Sequence, residues 1–160
     1  MTGKTHAAAG ITASAAFIYT GQLGIEDALV CLSVCTVAAL LPDIDEPNSS
    51  AGREAGAFSR LVKRVFGHRG LLHTPEFWAA CIWLLFHTGM SHAICMYLTA
   101  GVATHLALDS LTRGGIPFLV LGCRKIHLAA MRESHMGENL IFAVAHGLTV
   151  VLLALRLFGR

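Results

Sequence analysis

Apolar residues run along this chain in five long blocks separated by short polar breaks. The blocks cover approximately residues 6–22, 25–41, 75–88, 92–111 and 139–157. Runs of this length are too long for strands and predict helices. The first, "AAAGITASAA", is rich in small residues, which suits helices packed closely in lipid. The third is short for a membrane span, although Trp78 and Trp83 suit a membrane–water interface. A polar stretch over 42–74 separates the second block from the third. Within it "AFSRLVKRVFG" alternates basic and apolar residues at helical spacing, which predicts an amphipathic helix lying along the membrane surface. The chain carries no internal repeat and no low-complexity segment.

Composition turns this helical pattern into a membrane pattern. Of the 160 residues, 54% are hydrophobic and 14% charged, with a mean hydropathy of +0.61. A soluble domain carries about a quarter charged residues. The expected fold is therefore all-α: an integral membrane bundle of about five helices, forming one domain over residues 1–160. The alternative is a very apolar soluble bundle. The opening "MTGKTHAAAG" has neither a basic n-region nor a clear cleavage site, so no cleavable signal peptide is expected. The five cysteines are odd in number, contain no C-x-x-C pair and lie mostly inside apolar runs. They read as small packing residues, not as a disulfide framework.

Net charge is only +2, and no nucleic-acid partner is expected from it. The distribution of basic residues is more informative. If all five blocks span and the N-terminus faces the cytoplasm, ten of the twelve Lys and Arg residues fall on the cytoplasmic side. Arg156 and Arg160 alone fall on the other. This is the bias of the positive-inside rule.

The same map gathers the polar residues at one face. His6 opens the first block, and Asp43 and Asp45 close the second. His68 and His73 precede the third, His105 and Asp109 stand at the end of the fourth, and Glu138 opens the fifth. His105 and Asp109 are four residues apart, so a helix projects both from one side. Pro42 and Pro47 stiffen the turn that holds Asp43-Ile44-Asp45. Taken singly, each has an ordinary explanation: a histidine at a helix end, an aspartate in a turn, Glu138 as a helix cap. Taken together at a membrane face, where ionisable groups are costly, they point to a metal site. Imidazoles mixed with carboxylates suit zinc first, and manganese or iron next, better than calcium. The number of ligand-type residues exceeds the need of one ion, so two ions are expected; such a pair can activate water and clamp a phosphoryl group. Arg69, between His68 and His73, is placed to bind a phosphate bidentately or to anchor on a lipid headgroup.

Three motifs, "LPDIDEPNS", "FGHRGLLHT" and "HLALDSLTRGGIP", together with the opening "MTGKTH", resemble in order and spacing the YdjM-like family of bacterial inner-membrane proteins, described as metal-dependent hydrolases. The resemblance covers residues 1–138. It implies a hydrolase bound in the bacterial inner membrane whose natural substrate is poorly defined, and some members are associated with the DNA-damage regulon. Two departures stand out. The family usually has Thr-His-Ser where this chain has Leu72-His73-Thr74, which removes a hydroxyl beside a candidate ligand. It usually has Trp-Pro after the Gly-Pro segment, where Val120-Leu121 stand here. A fainter likeness in residue order links the chain to zinc-dependent phospholipases C and zinc nucleases, all-α enzymes that cleave phosphodiesters.

The reading that follows is a phosphoester hydrolase, with a lipid-linked substrate as one option. His6, Asp43, Asp45, His68, His73, His105 and Asp109 are the candidate ligands of the divalent ions. Arg69 is the candidate phosphate-binding residue, and Glu138 a candidate ligand or general base. The partner is the lipid bilayer, and oligomerisation is open. Two rivals remain: a non-catalytic ion-binding protein or transporter, with His146 as the deep polar residue of its path, and a haem protein with His6 and His105 as axial ligands.

Overall fold

In the computed structural model, which describes residues 1–67, 69–122, 124–129 and 135–159, the chain is mostly helical. Helix α1 (Gly3–Gly21) and helix α2 (Ile25–Ala38) form an antiparallel pair, followed by a 3₁₀ turn at Leu41–Asp45. Two short helices, α3 (Ser50–Ala55) and α4 (Ala57–Phe66), and a second 3₁₀ turn at Leu71–His73 lead to α5 (Pro75–His87) and α6 (His92–Ser110). A two-stranded antiparallel ribbon, β1 (Ile116–Phe118) with β2 (Arg124–Ile126), precedes the long α7 (His135–Phe158). The ribbon departs from the all-α expectation. Its strands are three residues each, too short to show an alternating pattern in sequence.

Helices α1, α2 and α6 pack mutually, with α7 lying on α1 and α5 on α6. The centre of this packing is built from small residues. Ala8, Ala15, Cys31, Cys35, Ala38 and Ala39 are all buried. Gly10 of α1 and Gly101 of α6 approach the end of α2 from two sides. A Cβ on Gly10 would stand 2.8 Å from the Cys35 carbonyl oxygen, and one on Gly101 only 2.4 Å from the same atom. Such contacts let three backbones close in, which is how helices associate where lipid supplies no hydrophobic drive between them. Cys31 and Cys35 serve this packing, as their place in an apolar run suggested.

The outer surfaces are apolar. Leu29 and Val37 on α2, Trp83 and Leu84 on α5, and Val144, Val150 and Val151 on α7 are exposed. No residue of α7 is buried. It is held on α1 by Thr12, whose hydroxyl donates to the Ala145 carbonyl and meets the Thr149 hydroxyl, each at 3.0 Å. Among the described residues two stretches are long and apolar enough to cross a membrane, Ile25–Asp45 and His135–Phe158. Helix α5, at 13 residues, extends about 20 Å against a hydrocarbon core of about 30 Å. The Trp78 ring packs on the core and its indole N–H donates to the Leu72 carbonyl at 2.6 Å. That bond fixes the turn carrying His73.

Candidate metal centre

The site forms where α1, α6 and the two 3₁₀ turns meet. Pro42 starts the first turn, and the tight 3₁₀ winding directs both Asp43 and Asp45 inward. The Ser49 hydroxyl donates to the Asp43 carbonyl at 2.7 Å and receives the Gly52 N–H at 2.8 Å, tying the turn to α3. The second turn delivers His73. Thr74 then caps α5, taking the Phe77 N–H at 3.4 Å, and Pro75 occupies the first helical position, where its missing N–H costs nothing. His105 and Asp109 come from one face of α6, one turn apart. His6 comes from the first turns of α1. His6, Asp45, His73 and His105 are 0% exposed, and Asp109 is 1% exposed.

Four donor atoms converge. His73 Nε2 lies 3.3 Å from His105 Nε2 and 3.4 Å from Asp109 Oδ2. His105 Nε2 is 3.6 Å from Asp109 Oδ2, and Asp43 Oδ1 is 3.8 Å from both imidazole nitrogens. A tetrahedral ion with bonds of 2.0–2.1 Å separates its ligands by about 3.3 Å. Asp43, His73 and His105 therefore have the size of a single-ion site, with Asp109 Oδ2 beside the two imidazoles. A second converging group joins His6, His105 and Asp109.

The far side of each imidazole fixes which nitrogen faces the centre. His105 Nδ1 stands 2.8 Å from the Ala39 carbonyl oxygen, which only accepts, so Nδ1 carries the proton and Nε2 offers its lone pair. His73 Nδ1 meets Asp45 Oδ2 at 3.1 Å, and the same oxygen receives the Arg69 N–H at 3.0 Å. Asp45 thus orients a ligand, as carboxylates behind metal-binding histidines do; neither converging group includes it. The hydroxyl missing beside His73 is accordingly not needed: its outer partner is a carboxylate. His73 lies outside the apolar helices. Burial disfavours its charge, but Asp109, Asp43 and Asp45 outweigh that and push its pKa up to about 10. The same negative field favours a cation.

Orphaned atoms mark the other half of the site. His6 Nδ1 and Nε2 and Asp109 Oδ1 are buried and make no hydrogen bond of normal geometry. His6 Nε2 stands 3.5 Å from Asp109 Oδ1. Buried polar groups without partners are rare, and a bound ion is one explanation for them. Asp109 thereby presents Oδ2 to His73 and His105 and Oδ1 to His6, the disposition of a bridging carboxylate. The ring of His6 also stacks on that of His105, with centroids 3.8 Å apart and planes inclined by 17°. Parallel rings in contact leave no room for a porphyrin between them, which removes the haem reading.

The remaining candidates separate. Arg69 lies at the site, its guanidinium 3.5 Å from Asp109 Oδ1 and donating to the Thr112 hydroxyl at 3.2 Å. Glu138 lies elsewhere. Its carboxylate receives the Thr2 N–H and the Thr5 hydroxyl, clasping the first turn of α1, where a negative charge is favoured. His68 falls outside the described residues. A polar cavity of about 490 Å³ opens over the centre, lined by Asp43, Arg69, Lys4 and Arg53 among others. Sequence reasoning passed over Lys4 and Arg53, over the Ala39 carbonyl, and over Thr112. Only Thr112 carried a signal, its place within "HLALDSLTRGGIP".

Fold and site together define a helical membrane protein with a buried His/Asp cluster able to hold a metal ion. The chain belongs to the YdjM inner membrane protein family, whose model matches residues 1–154. It is 34% identical over 151 residues to the Bacillus subtilis protein YvsG, covering 94% of this chain and 91% of that one. It is 30% identical over 93 residues to the inner membrane protein YdjM of Escherichia coli, covering 52% of this chain and 45% of that one. The YdjM protein of Shigella flexneri matches to the same extent. No solved structure matches.

Proposed function

We propose that this protein is a membrane-bound, metal-dependent hydrolase that cleaves a phosphoester at a cytoplasm-facing site. The observation that carries the reading is the buried convergence of Asp43, His73 and His105, and of His6, His105 and Asp109, each set close enough to hold one ion. A divalent cation, zinc first among candidates, supplies there a Lewis acid and an activated water. The chain does the rest. Asp45 and the Ala39 carbonyl hold the two imidazoles in the tautomer that faces the centre. His105 offers one free lone pair and can serve one ion only. A second ion would fall to His6 and Asp109. Arg69 and the cavity cations Lys4 and Arg53 attract and orient an anionic ester. Glu138 braces α1 and takes no part in the chemistry.

In the membrane arrangement we propose, the apolar helices α1, α2, α6 and α7 span, the shorter α5 crosses with them through a locally thinned bilayer, and the N-terminus is cytoplasmic, the side that the basic residues favour. Helix α4 lies on the surface. Its exposed Phe58, Leu61 and Val65 share one face toward the lipid, with the basic Arg60 and Arg64 beside it. A transport path finds less support. His146, the deep polar candidate, points outward on α7 and meets the Phe142 carbonyl of its own helix.

The test is the metal content of protein purified from membranes without chelator, together with a hydrolysis screen over lipid and soluble phosphoesters. Stoichiometric transition metal and an activity abolished by chelator are expected. Protein free of bound transition metal overturns the reading. Metal without hydrolysis of any phosphoester favours the ion-binding alternative.

A further inference from the structure

The guanidinium of Arg69 occupies the space that a side chain at position 114 would need. A Cβ on Gly114 would stand 1.2 Å from Arg69 Nη1, 2.5 Å from Cζ and 3.3 Å from Nε. The first two distances lie far inside van der Waals contact, so the arginine head must leave this position wherever residue 114 carries a Cβ. The glycine is not required by its own backbone, because Gly114 is absent from the positive-φ glycines, unlike its neighbour Gly115 at φ 60°. It is required by the arginine.

Three other features converge on the same side chain. Arg69 adopts a left-handed backbone, φ 53°, rare for a residue with a Cβ. Its N–H is anchored on Asp45, the carboxylate that also orients His73. Its head bonds to Thr112 and lies 3.5 Å from Asp109 Oδ1, at the polar cavity that Asp43 also lines. A strained backbone, a shared anchor and an emptied position are an expensive way to hold a surface charge. They are a sensible way to hold a planar cationic fork at a fixed distance from a metal centre.

We infer that Gly114 is a positioning residue whose missing side chain seats the Arg69 guanidinium as the oxyanion-binding arm of the site, and that the group it binds is a phosphate-type oxyanion. This rests on the hydrolase reading and adds to it a residue outside the ligand set. The planar fork matches two oxygens of a tetrahedral anion. Lys4 and Arg53, on the wall of the same cavity, add to the attraction. The neighbouring carboxylates Asp43 and Asp109 are those that would face the ion, and Glu46 on the cavity wall is met by Lys63 at 2.6 Å.

The experiment measures metal content and inorganic phosphate binding by calorimetry on purified, metal-loaded protein. Gly114→Ala and Arg69→Gly are each expected to keep the wild-type metal stoichiometry and to weaken phosphate roughly ten- to a hundredfold. The double variant is expected to bind phosphate no more weakly than Arg69→Gly alone, because both changes remove the same contact. Thermal unfolding supplies a second readout: Gly114→Ala lowers the midpoint in the wild-type background but not with Arg69→Gly, where the Cβ has room. Wild-type phosphate affinity in metal-loaded Gly114→Ala overturns this inference and leaves the hydrolase reading intact, as do additive effects in the double variant. Wild-type protein that holds no metal overturns both.

Discussion

The two ends of α1 and α6 obey opposite rules. At one end His6, His105 and Asp109 are buried with Asp43, Asp45 and His73, and charge lies where water does not reach. Further along, the same helices pack through Gly10, Ala15 and Gly101, and the surface around them is apolar. The polar end is costly to build, and its atoms are incompletely satisfied by one another. The apolar end gains its stability from close backbone approach. A protein that only had to sit in a membrane would need the second region alone. The first is the part to be explained by chemistry.

The contrast can be broken from the polar side first. Asp109→Asn keeps the shape but removes the charge that lies 3.4–3.6 Å from His6, His73 and His105. Loss of bound metal is expected, read as metal-to-protein ratio after gel filtration; full retention would dissociate the cluster from metal binding. Next in size is the apolar surface. Val150 is 66% exposed on α7, and Val150→Lys should cost about 3 kcal/mol of membrane insertion, read as the inserted fraction in a translocation assay. If that face meets water instead, the lysine will be harmless.

Gly101→Ala tests the apolar end of α6. Its Cβ would stand 2.6 Å from the Ala38 Cβ and closer still to backbone, so destabilisation of about 1–3 kcal/mol is expected in detergent unfolding. Metal content per folded molecule should not change. Asp45→Asn acts behind His73 and should weaken metal about 10–100-fold in a competition titration, without abolishing it. An effect as large as that of Asp109→Asn would make Asp45 a direct ligand.

The smallest effect concerns protons. In chelated protein His73 has a folded-state pKa of about 10, above its ordinary 6.5. A raised pKa means the protonated form is stabilised by folding. That contribution is complete below about pH 6.5 and is lost as pH rises through 10. The melting temperature of metal-free protein should therefore fall across that window. With zinc present the fall should vanish, because the ion replaces the proton between the same carboxylates.

Much of this architecture was legible in the residue pattern, for definite reasons. Apolar blocks of helical length, small residues in the first of them and ligand-type residues at block ends are local features. His105 and Asp109 could be put on one face because helical periodicity alone decides it. The departures were non-local. The β1–β2 ribbon was too short to leave a period. Glu138 and Asp109 are both carboxylates near the end of an apolar helix, and nothing in their neighbours says that one meets Thr2 and Thr5 while the other meets three histidines.

The sequence by itself thus determined the helices, their apolar nature and the inventory of groups at the polar end. Tertiary structure decided their roles: Asp109 faces two sets of donors, Asp45 stands behind His73, and Gly114 yields its space to Arg69. The physical reason is range. Helix formation and apolar burial depend on averages over many neighbouring residues. A ligand differs from its support by an ångström or two and by the direction of one lone pair, and those are fixed only when distant segments are packed together.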